Sequence, residues 1–232
     1  DANITFVGCS RWLSGRAKKS YLLRGKAVLS IPNPIDTKVY HPMDQGMARE
    51  LLGLPSGKRL LLFGALNVTD KRKGIDYLIE ALRRMEKQDV ELVVFGQVKD
   101  DIRGLFPVPI HSMGYLSDES KIVALYNAVD MFITSSLEEN LPNTIMESMA
   151  CGTPCVGFEI GGIPEMIDHR VNGYVANYKD AGDLANGIQW VLEHEDRLAL
   201  SDACVKKVQE NYTEEVVAKQ YTALYEKLLK GE

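Results

Sequence analysis

The sequence predicts an α/β protein whose core is a doubly wound, Rossmann-like parallel sheet. Two observations support this fold class. Short apolar or β-branched runs alternate with longer amphipathic runs, which is the order expected of repeated strand–helix–strand units. Residues 92–95 are apolar at every position, as expected for a strand that is covered by helices on both faces of the sheet.

The elements are predicted in chain order from these runs. Strands are predicted at residues 4–7, 27–31, 60–63, 91–95, 130–134 and 154–158. Helices are predicted at residues 75–88, 118–128, 142–150, 181–194 and 197–210. Ser10 is expected to cap an early helix and Thr213 a last one, since hydroxyl side chains satisfy the free N–H groups of a first helical turn.

Composition limits the class of partner. With 45% apolar and 25% charged residues the chain is typical of ordinary globular proteins. A net charge of -5 argues against a nucleic-acid partner. The amino end is basic, which we interpret as a solvated helix face rather than a membrane patch. The four cysteines indicate reduced thiols, and the lack of a signal peptide predicts a cytoplasmic setting.

A ligand site is expected where the predicted strands end, because loops converge at the carboxyl edge of a parallel sheet. The loops at residues 64–74, 96–101, 135–143 and 157–164 should therefore line one cleft. Neither a G-x-G-x-x-G nor a Walker phosphate loop occurs in the sequence. A dinucleotide dehydrogenase or a P-loop enzyme is thus disfavoured.

The most informative segment is residues 135–154, which contains two acids around a helix start. Glu139 falls in the loop and Glu147 about one turn inside a helix that Pro142 begins. Both acids can face the cleft, and free backbone N–H groups near residues 140–143 could meet a diphosphate. Alternatively, the acids only complement the helix dipole.

This segment resembles the signature of the group 1 retaining glycosyltransferases with the GT-B fold, in which two glutamates stand eight residues apart. Other similar motifs follow in the family's order. Residues 31–36 resemble the entry into the second domain, Lys73 with Gly74 the phosphate-binding lysine, and residues 161–165 and 172–173 the paired turns. The resemblance covers essentially all of residues 27–232.

The resemblance implies a role for each matching residue. Lys73 would bind the diphosphate, Glu139 the donor sugar or its reacting face, and Glu147 the ribose hydroxyls. Lys73 and Glu139 are the expected catalytic residues, because a departing diphosphate develops negative charge that fixed groups must stabilise. The remaining donor-binding candidates are Arg72, Asn140, Leu141, Pro142, Asn143, Gly64 and Gly162.

The sequence departs from the family at one position. The family commonly has an arginine after the glycine that ends the first strand, whereas Ala65 follows Gly64. Arg72 or Lys71 is nominated as the substitute, with solvated loop charges as the alternative. Two further assignments remain open. Residues 98–99 could border the base. Residues 163–165 could place backbone N–H groups near the donor, or Glu165 could only cap or charge the following turn.

The resemblance also divides the chain. Residues 1–26 would be the remnant of an acceptor-binding domain with its linker, residues 27–210 the nucleotide-sugar-binding domain, and residues 211–232 a helix that crosses back. The implied reaction transfers a sugar, with retention, from a nucleoside-diphosphate sugar to a glycan or lipid-linked glycan, and the chain is expected to be inactive alone. No metal or other cofactor is expected.

Two other functions fit the same architecture. A sugar-nucleotide epimerase also binds nucleoside diphosphates, and a non-catalytic nucleotide-binding module would need no acceptor half. Within the transferase interpretation, the partners are the sugar-nucleotide donor and the acceptor bound by the absent domain. Peripheral association of the full-length enzyme with the inner face of a membrane is left open.

Overall fold

The computed structural model describes residues 4–67, 70–85, 89–97 and 103–231. Residues 98–99, expected to border the base, lie outside these ranges, as does the predicted helix end at 86–88. The strands are β1 (Thr5–Gly8), β2 (Ala27–Ser30), β3 (Arg59–Asn67), β4 (Val90–Gln97), β5 (Ile110–Gly114), β6 (Met131–Thr134), β7 (Cys155–Phe158) and β8 (Gly173–Ala176). The helices are α1 (Arg11–Lys19), α2 (Gln45–Leu52), α3 (Ile75–Arg84), α4 (Glu119–Ala128), α5 (Asn143–Ala150), α6 (Ile163–Met166), α7 (Ala181–Leu192), α8 (Arg197–Asn211) and α9 (Glu214–Leu229).

Six strands form one parallel sheet in the order β5-β4-β3-β6-β7-β8. The predicted fold class, a doubly wound α/β domain, is confirmed. The strand β2 does not belong to this sheet. It pairs with β1 in a separate two-stranded sheet. The strands β5 and β8 and the helices α2 and α6 are not among the elements predicted from the sequence.

The core has two layers, one on each face of the sheet. Along β3, Leu60 and Leu62 belong to one apolar cluster, while Leu61 and Phe63 belong to the other. All four are essentially inaccessible to solvent. Alternate side chains of a strand point to opposite faces, so an apolar run is what a strand between two helical layers requires.

The last helix packs on the amino-terminal strands. Val217 and Leu224 of α9 form a small cluster with Ile31, against which Val7 of β1 also packs. The predicted caps are confirmed, since the Ser10 hydroxyl accepts from the amide of Leu13 in α1 and Thr213 caps α9 in the same way. In the described part of the chain, every helix is too short or too polar to cross a membrane.

A buried carboxylate ties the amino edge of the sheet together. Asp130, just before β6, accepts from the Leu60 amide at 2.7 Å and from Arg49 Nη2 at 3.0 Å. Arg197 Nη2 at 2.6 Å and Arg59 Nη1 at 3.3 Å reach its other oxygen. Burial raises the pKa of Asp130, while the Leu60 amide and the arginines oppose that shift. The cluster joins four distant parts of the chain.

Candidate functional site

The loops after β3 and β6 meet at the point where the strand order reverses. The chain adds β4 and β5 on one side of β3, and then returns to add β6 on the other. Loops diverge at such a switch point and leave a crevice. A cavity of about 500 Å³ lies there. Its lining residues are Trp12, Arg72, Lys73, Leu137, Glu138, Glu139, Asn140 and Ile160.

Lys73 is held over this cavity by bonds between the two loops. It ends a 3-10 turn after β3, and its carbonyl accepts from the Ser135 hydroxyl at 3.0 Å. The Leu137 amide donates to the Arg72 carbonyl at 2.7 Å. Gly74 has φ +63°, and a Cβ there would lie 2.0 Å from the Ser135 carbonyl oxygen. Only glycine allows this approach, so the glycine after Lys73 has a steric reason.

Glu139 forms an ion pair with Lys73 in the cavity. Lys73 Nζ donates to Glu139 Oε1 at 2.5 Å, and the two side chains are 32% and 14% exposed. The loop after β7 packs closely on the backbone of Glu139. Gly161 has φ +60°, and a Cβ there would clash with the Glu139 carbonyl oxygen. The Gly162 amide donates to the Asn140 carbonyl at 2.6 Å. Three loops therefore hold this pair in place.

Arg72, nominated to replace the family's arginine, lines the cavity but already has a partner. Its guanidinium binds both carboxylate oxygens of Asp70, with Nη2 to Oδ2 at 2.6 Å. The hydrogen bonds from Arg72 lower the pKa of Asp70 to about 2. Lys71 is exposed and does not line the cavity. Arg72 and Lys73 both line the cavity, and each is paired with a carboxylate, Arg72 with Asp70 and Lys73 with Glu139.

Glu147 does not line the cavity that holds Lys73 and Glu139. It lies in α5 and accepts from the hydroxyl of buried Tyr126 of α4 at 2.8 Å. Burial raises the pKa of Glu147, and nearby Glu119 raises it further, while the Tyr126 hydroxyl lowers it. The structure thus brings together only part of the expected site, and the ribose-binding role of Glu147 stays a prediction.

The remaining candidates surround the start of α5 and the neighbouring loops. Pro142 precedes α5 directly, Leu141 is buried in the core, and Asn143 is exposed. Gly64 has a packing reason, because a Cβ would lie 1.9 Å from the Phe95 ring. Gly162 also has a packing reason, because a Cβ added there would lie 2.3 Å from the Asn140 carbonyl oxygen. Their contact with a donor stays a prediction.

The sequence did not identify four of the residues that line the cavity. Leu137, Glu138 and Ile160 lie in loops already expected at the cleft, so the order of strands could have indicated them. Trp12 carried no such signal, because it precedes the main sheet in the chain. Its place depends on contacts between α1 and the loops, which are visible only in three dimensions.

The sheet and the charged cavity at its switch point define a Rossmann-like class of α/β domain. Comparison with known proteins is more specific. The chain belongs to the group 1 glycosyl transferases: the model of that family, described as "Glycosyl transferases group 1", matches residues 57–194. The resemblance noted in the sequence is confirmed, and the epimerase alternative is not favoured.

Individual relatives agree with this family. The chain is 24% identical over 213 residues to N-acetyl-alpha-D-glucosaminyl L-malate synthase of Bacillus anthracis, covering 89% of this chain and 55% of that protein. A glycosyltransferase structure from Rickettsia africae ESF-5 superposes with a TM-score of 0.85 at 21% identity, covering 99% of this chain and 65% of the other. The structure of Anabaena Alr3699/HepE in complex with UDP-glucose superposes with a TM-score of 0.77 at 19% identity, covering 96% of this chain and 63% of the other.

The structural likenesses establish the fold as one Rossmann-like half of the GT-B architecture. The chain spans about half the length of the curated relatives that it matches first, 55% and 47%. The segment boundaries expected at residues 26 and 210 stay predictions. The activity of the whole protein is therefore a matter for proposal.

Proposed function

We propose that this chain is the donor-binding half of a retaining glycosyltransferase and that it binds a nucleoside-diphosphate sugar in the cavity at the switch point. The observation that carries the proposal is the Lys73–Glu139 ion pair, held at 2.5 Å by three loops. The ligand class is supported by Anabaena Alr3699/HepE, a protein of similar fold whose structure is known in complex with UDP and with UDP-glucose.

The charges suit the chemistry of transfer. When the bond between the anomeric carbon and the diphosphate oxygen breaks, negative charge grows on that oxygen. Lys73 would stabilise this charge without a metal ion. Glu139, released from part of its contact with the lysine, would bind the donor sugar on the face where the acceptor oxygen attacks. Glu147, one turn into α5, would bind the ribose hydroxyls.

The acceptor half would be supplied by another domain. We propose that the acceptor is a glycan or lipid-linked glycan, and that this chain alone binds the donor but transfers nothing. The chain's length relative to its relatives supports this proposal. If the isolated chain transferred sugar from a sugar nucleotide to a glycan at ordinary enzymatic rates, the proposal of a donor-binding half would be wrong.

Calorimetry with Lys73→Met tests the binding site. The titrants are UDP, GDP and ADP with their glucose or mannose adducts, because the base is unassigned. A charge-assisted hydrogen bond contributes about 1.5 to 3 kcal/mol, so the variant should bind the preferred diphosphate at least about tenfold more weakly. The thermal midpoint of each variant shows whether the fold is intact.

Lys71→Met is the matched control, since Lys71 is an exposed lysine of the same turn. It should leave the affinity unchanged. Glu139→Gln should weaken the sugar adduct more than the free diphosphate. Equal affinities for the Lys73→Met variant and the unmodified chain would refute the assignment of the diphosphate to Lys73.

A further inference from the structure

Residues 9–12 lie against the candidate site, although they are far from it in the chain. The Ser10 hydroxyl donates to Asn140 Oδ1 at 2.6 Å, and Asn140 Nδ2 donates to Cys9 Sγ at 2.8 Å. Gly162 allows the same approach, since a Cβ there would lie 3.2 Å from Ser10 Cβ. The amide side chain of Asn140 is therefore used to hold the start of α1 against the cavity.

Glu165 holds the first turn of α1 from the other side. Its Oε2 accepts from the Arg11 amide at 2.9 Å, and its Oε1 accepts from the Trp12 amide at 2.7 Å. Arg11 Nε adds a bond at 3.2 Å. A carboxylate is favourable at the N–H groups that open a helix. Glu165 therefore caps α1, a different helix from the one that carries it.

These bonds place Trp12 at the margin of the cavity. Trp12 lines the cavity together with two apolar residues, Leu137 and Ile160. Trp12 is 36% exposed, and the guanidinium of Arg16 lies 5.3 Å from its ring centroid. The cavity thus has a charged part, formed by the Lys73–Glu139 pair, and an apolar part that contains one large aromatic ring.

We propose that Trp12 is a sugar-binding residue of this site and that Glu165 is its positioning residue. The inference rests on the proposed function, because it assumes that a sugar nucleotide occupies the cavity. A pyranose ring carries hydroxyls around its rim and C–H groups on its faces. Ligand sites commonly combine an aromatic wall with a few placed polar groups. The indole would pack on the C–H face of the sugar while the ion pair binds the polar rim and the diphosphate.

Calorimetry of Trp12→Ala and Trp12→Phe tests the contact, with UDP, GDP and ADP compared with their glucose or mannose adducts. Trp12→Ala should bind the preferred sugar adduct about tenfold more weakly and the free diphosphate unchanged. Trp12→Phe keeps an aromatic face and should recover most of the loss. Trp190→Phe, which changes the other tryptophan of the chain, is the control and should change neither affinity.

Glu165→Gln tests the positioning role. Arg11 N–H and Trp12 N–H bind different oxygens of Glu165, and glutamine replaces one of these oxygens with an NH2 group that cannot accept. The variant should therefore lower the affinity for the sugar adduct but not for the diphosphate. Combined with Trp12→Ala it should cause no further loss, because both changes remove the same contact. In the Trp190→Phe background Trp12 is the single fluorophore of its type, and the sugar adduct should change its emission more than the diphosphate does.

The outcomes separate the two proposals. If the unmodified chain binds neither the diphosphates nor the adducts, the proposed function fails and this inference fails with it. A second outcome is that the unmodified chain binds the adduct, while Trp12→Ala weakens the binding of adduct and diphosphate equally or changes neither affinity. The proposed function then stands, and the role of Trp12 is refuted. Additive losses in the double variant would refute the role of Glu165.

Discussion

Two carboxylates at opposite ends of β6 have very different surroundings. Asp130, before the strand, accepts from the Leu60 amide and from three arginines, and its side chain is 2% exposed. Glu139, in the loop beyond the strand, is paired with Lys73 and is 14% exposed. The first carboxylate has its hydrogen-bonding capacity filled by the fold. The second keeps capacity that a ligand could use.

The difference shows how one strand can serve stability at one end and binding at the other. A buried carboxylate is stable only if its partners are complete, because its loss of hydration is otherwise uncompensated. A binding carboxylate must exchange its partner for the ligand at moderate cost. The Lys73–Glu139 pair is partly exposed, so separating its charges costs less than breaking the Asp130 cluster. Variants at each end should therefore affect different measurements.

The largest effect is expected from Asp130→Asn. The substitution removes the negative charge and leaves Arg49, whose side chain is 7% exposed, buried without a counter-charge. Breaking a buried pair in this way costs about 3 to 5 kcal/mol. The free energy of unfolding from urea titration measures the loss. Lys73→Met, at the other end of the strand, should change that free energy by at most about 1 kcal/mol.

Asp89→Asn is the control for the Asp130 prediction. Asp89 forms an ion pair with Lys58 at 2.5 Å, but its side chain is 71% exposed. An exposed pair contributes about 0 to 1 kcal/mol. Similar losses for Asp89→Asn and Asp130→Asn would show that burial and saturation do not distinguish the Asp130 cluster.

A smaller effect, confined to the binding end, is expected from Gly74→Ala. A Cβ at this position meets the Ser135 carbonyl at 2.0 Å, and φ is +63°. Gly53→Ala is the matched control, since Gly53 has φ +65° and open space around it. The free energy of unfolding of Gly53→Ala should fall by about 1 to 2 kcal/mol, because alanine is disfavoured in the left-handed conformation. The free energy of unfolding of Gly74→Ala should fall by more than that of the control. Gly74→Ala should also bind the donor more weakly, because the turn that carries Lys73 must move.

The smallest effect is expected from Glu147→Gln. Burial raises the pKa of Glu147, so the folded state holds its proton more strongly than the unfolded state. The stability of the unmodified chain should therefore fall as pH rises from the ordinary glutamate pKa through the raised value, and then become level. Glu147→Gln removes this fall and should be more stable at neutral pH, by about 1 kcal/mol or less.

Thermal midpoints measured from pH 4 to pH 8 test the sign of this effect. Tyr126→Phe sharpens the test. The Tyr126 hydroxyl donates to Glu147 and lowers its pKa, so removing it should move the fall to higher pH. A loss of stability in Glu147→Gln that grows with pH would show that the fold stabilises the ionised carboxylate.

Much of the fold could be predicted because the central strands lie between two helical layers. The strands β3, β4, β6 and β7 are apolar on both faces, and each was identified. The edge strands β5 and β8 are not predicted from the sequence, because an edge strand has only one neighbouring strand and needs no continuous apolar run. Residues of β5 such as His111 and Ser112 give no apolar run. The pairing of β2 with β1 depends on topology, which composition does not contain.

The site could be predicted in part for a related reason. Lys73 and Glu139 follow adjacent central strands, and the rule for parallel sheets brings their loops together. Glu147 is expected from the sequence to face the same cleft. In the structure it accepts from the Tyr126 hydroxyl and does not line the cavity that holds Lys73, and its contact with a donor stays a prediction. Arg49, Arg59 and Arg197 could not be assigned to Asp130, because only the folded chain brings them near it.

The Asp130 cluster has a consequence for how the domain opens. One side chain binds α2, β3 and α8 as well as its own strand, so none of these elements can detach without exposing an unpaired charge. Hydrogen exchange of the Leu60 amide, whose proton Asp130 accepts, would then require cooperative opening of the whole sheet. The loops at the opposite edge are joined by hydrogen bonds between uncharged groups and by one partly exposed ion pair, so separating them leaves less buried charge unpaired.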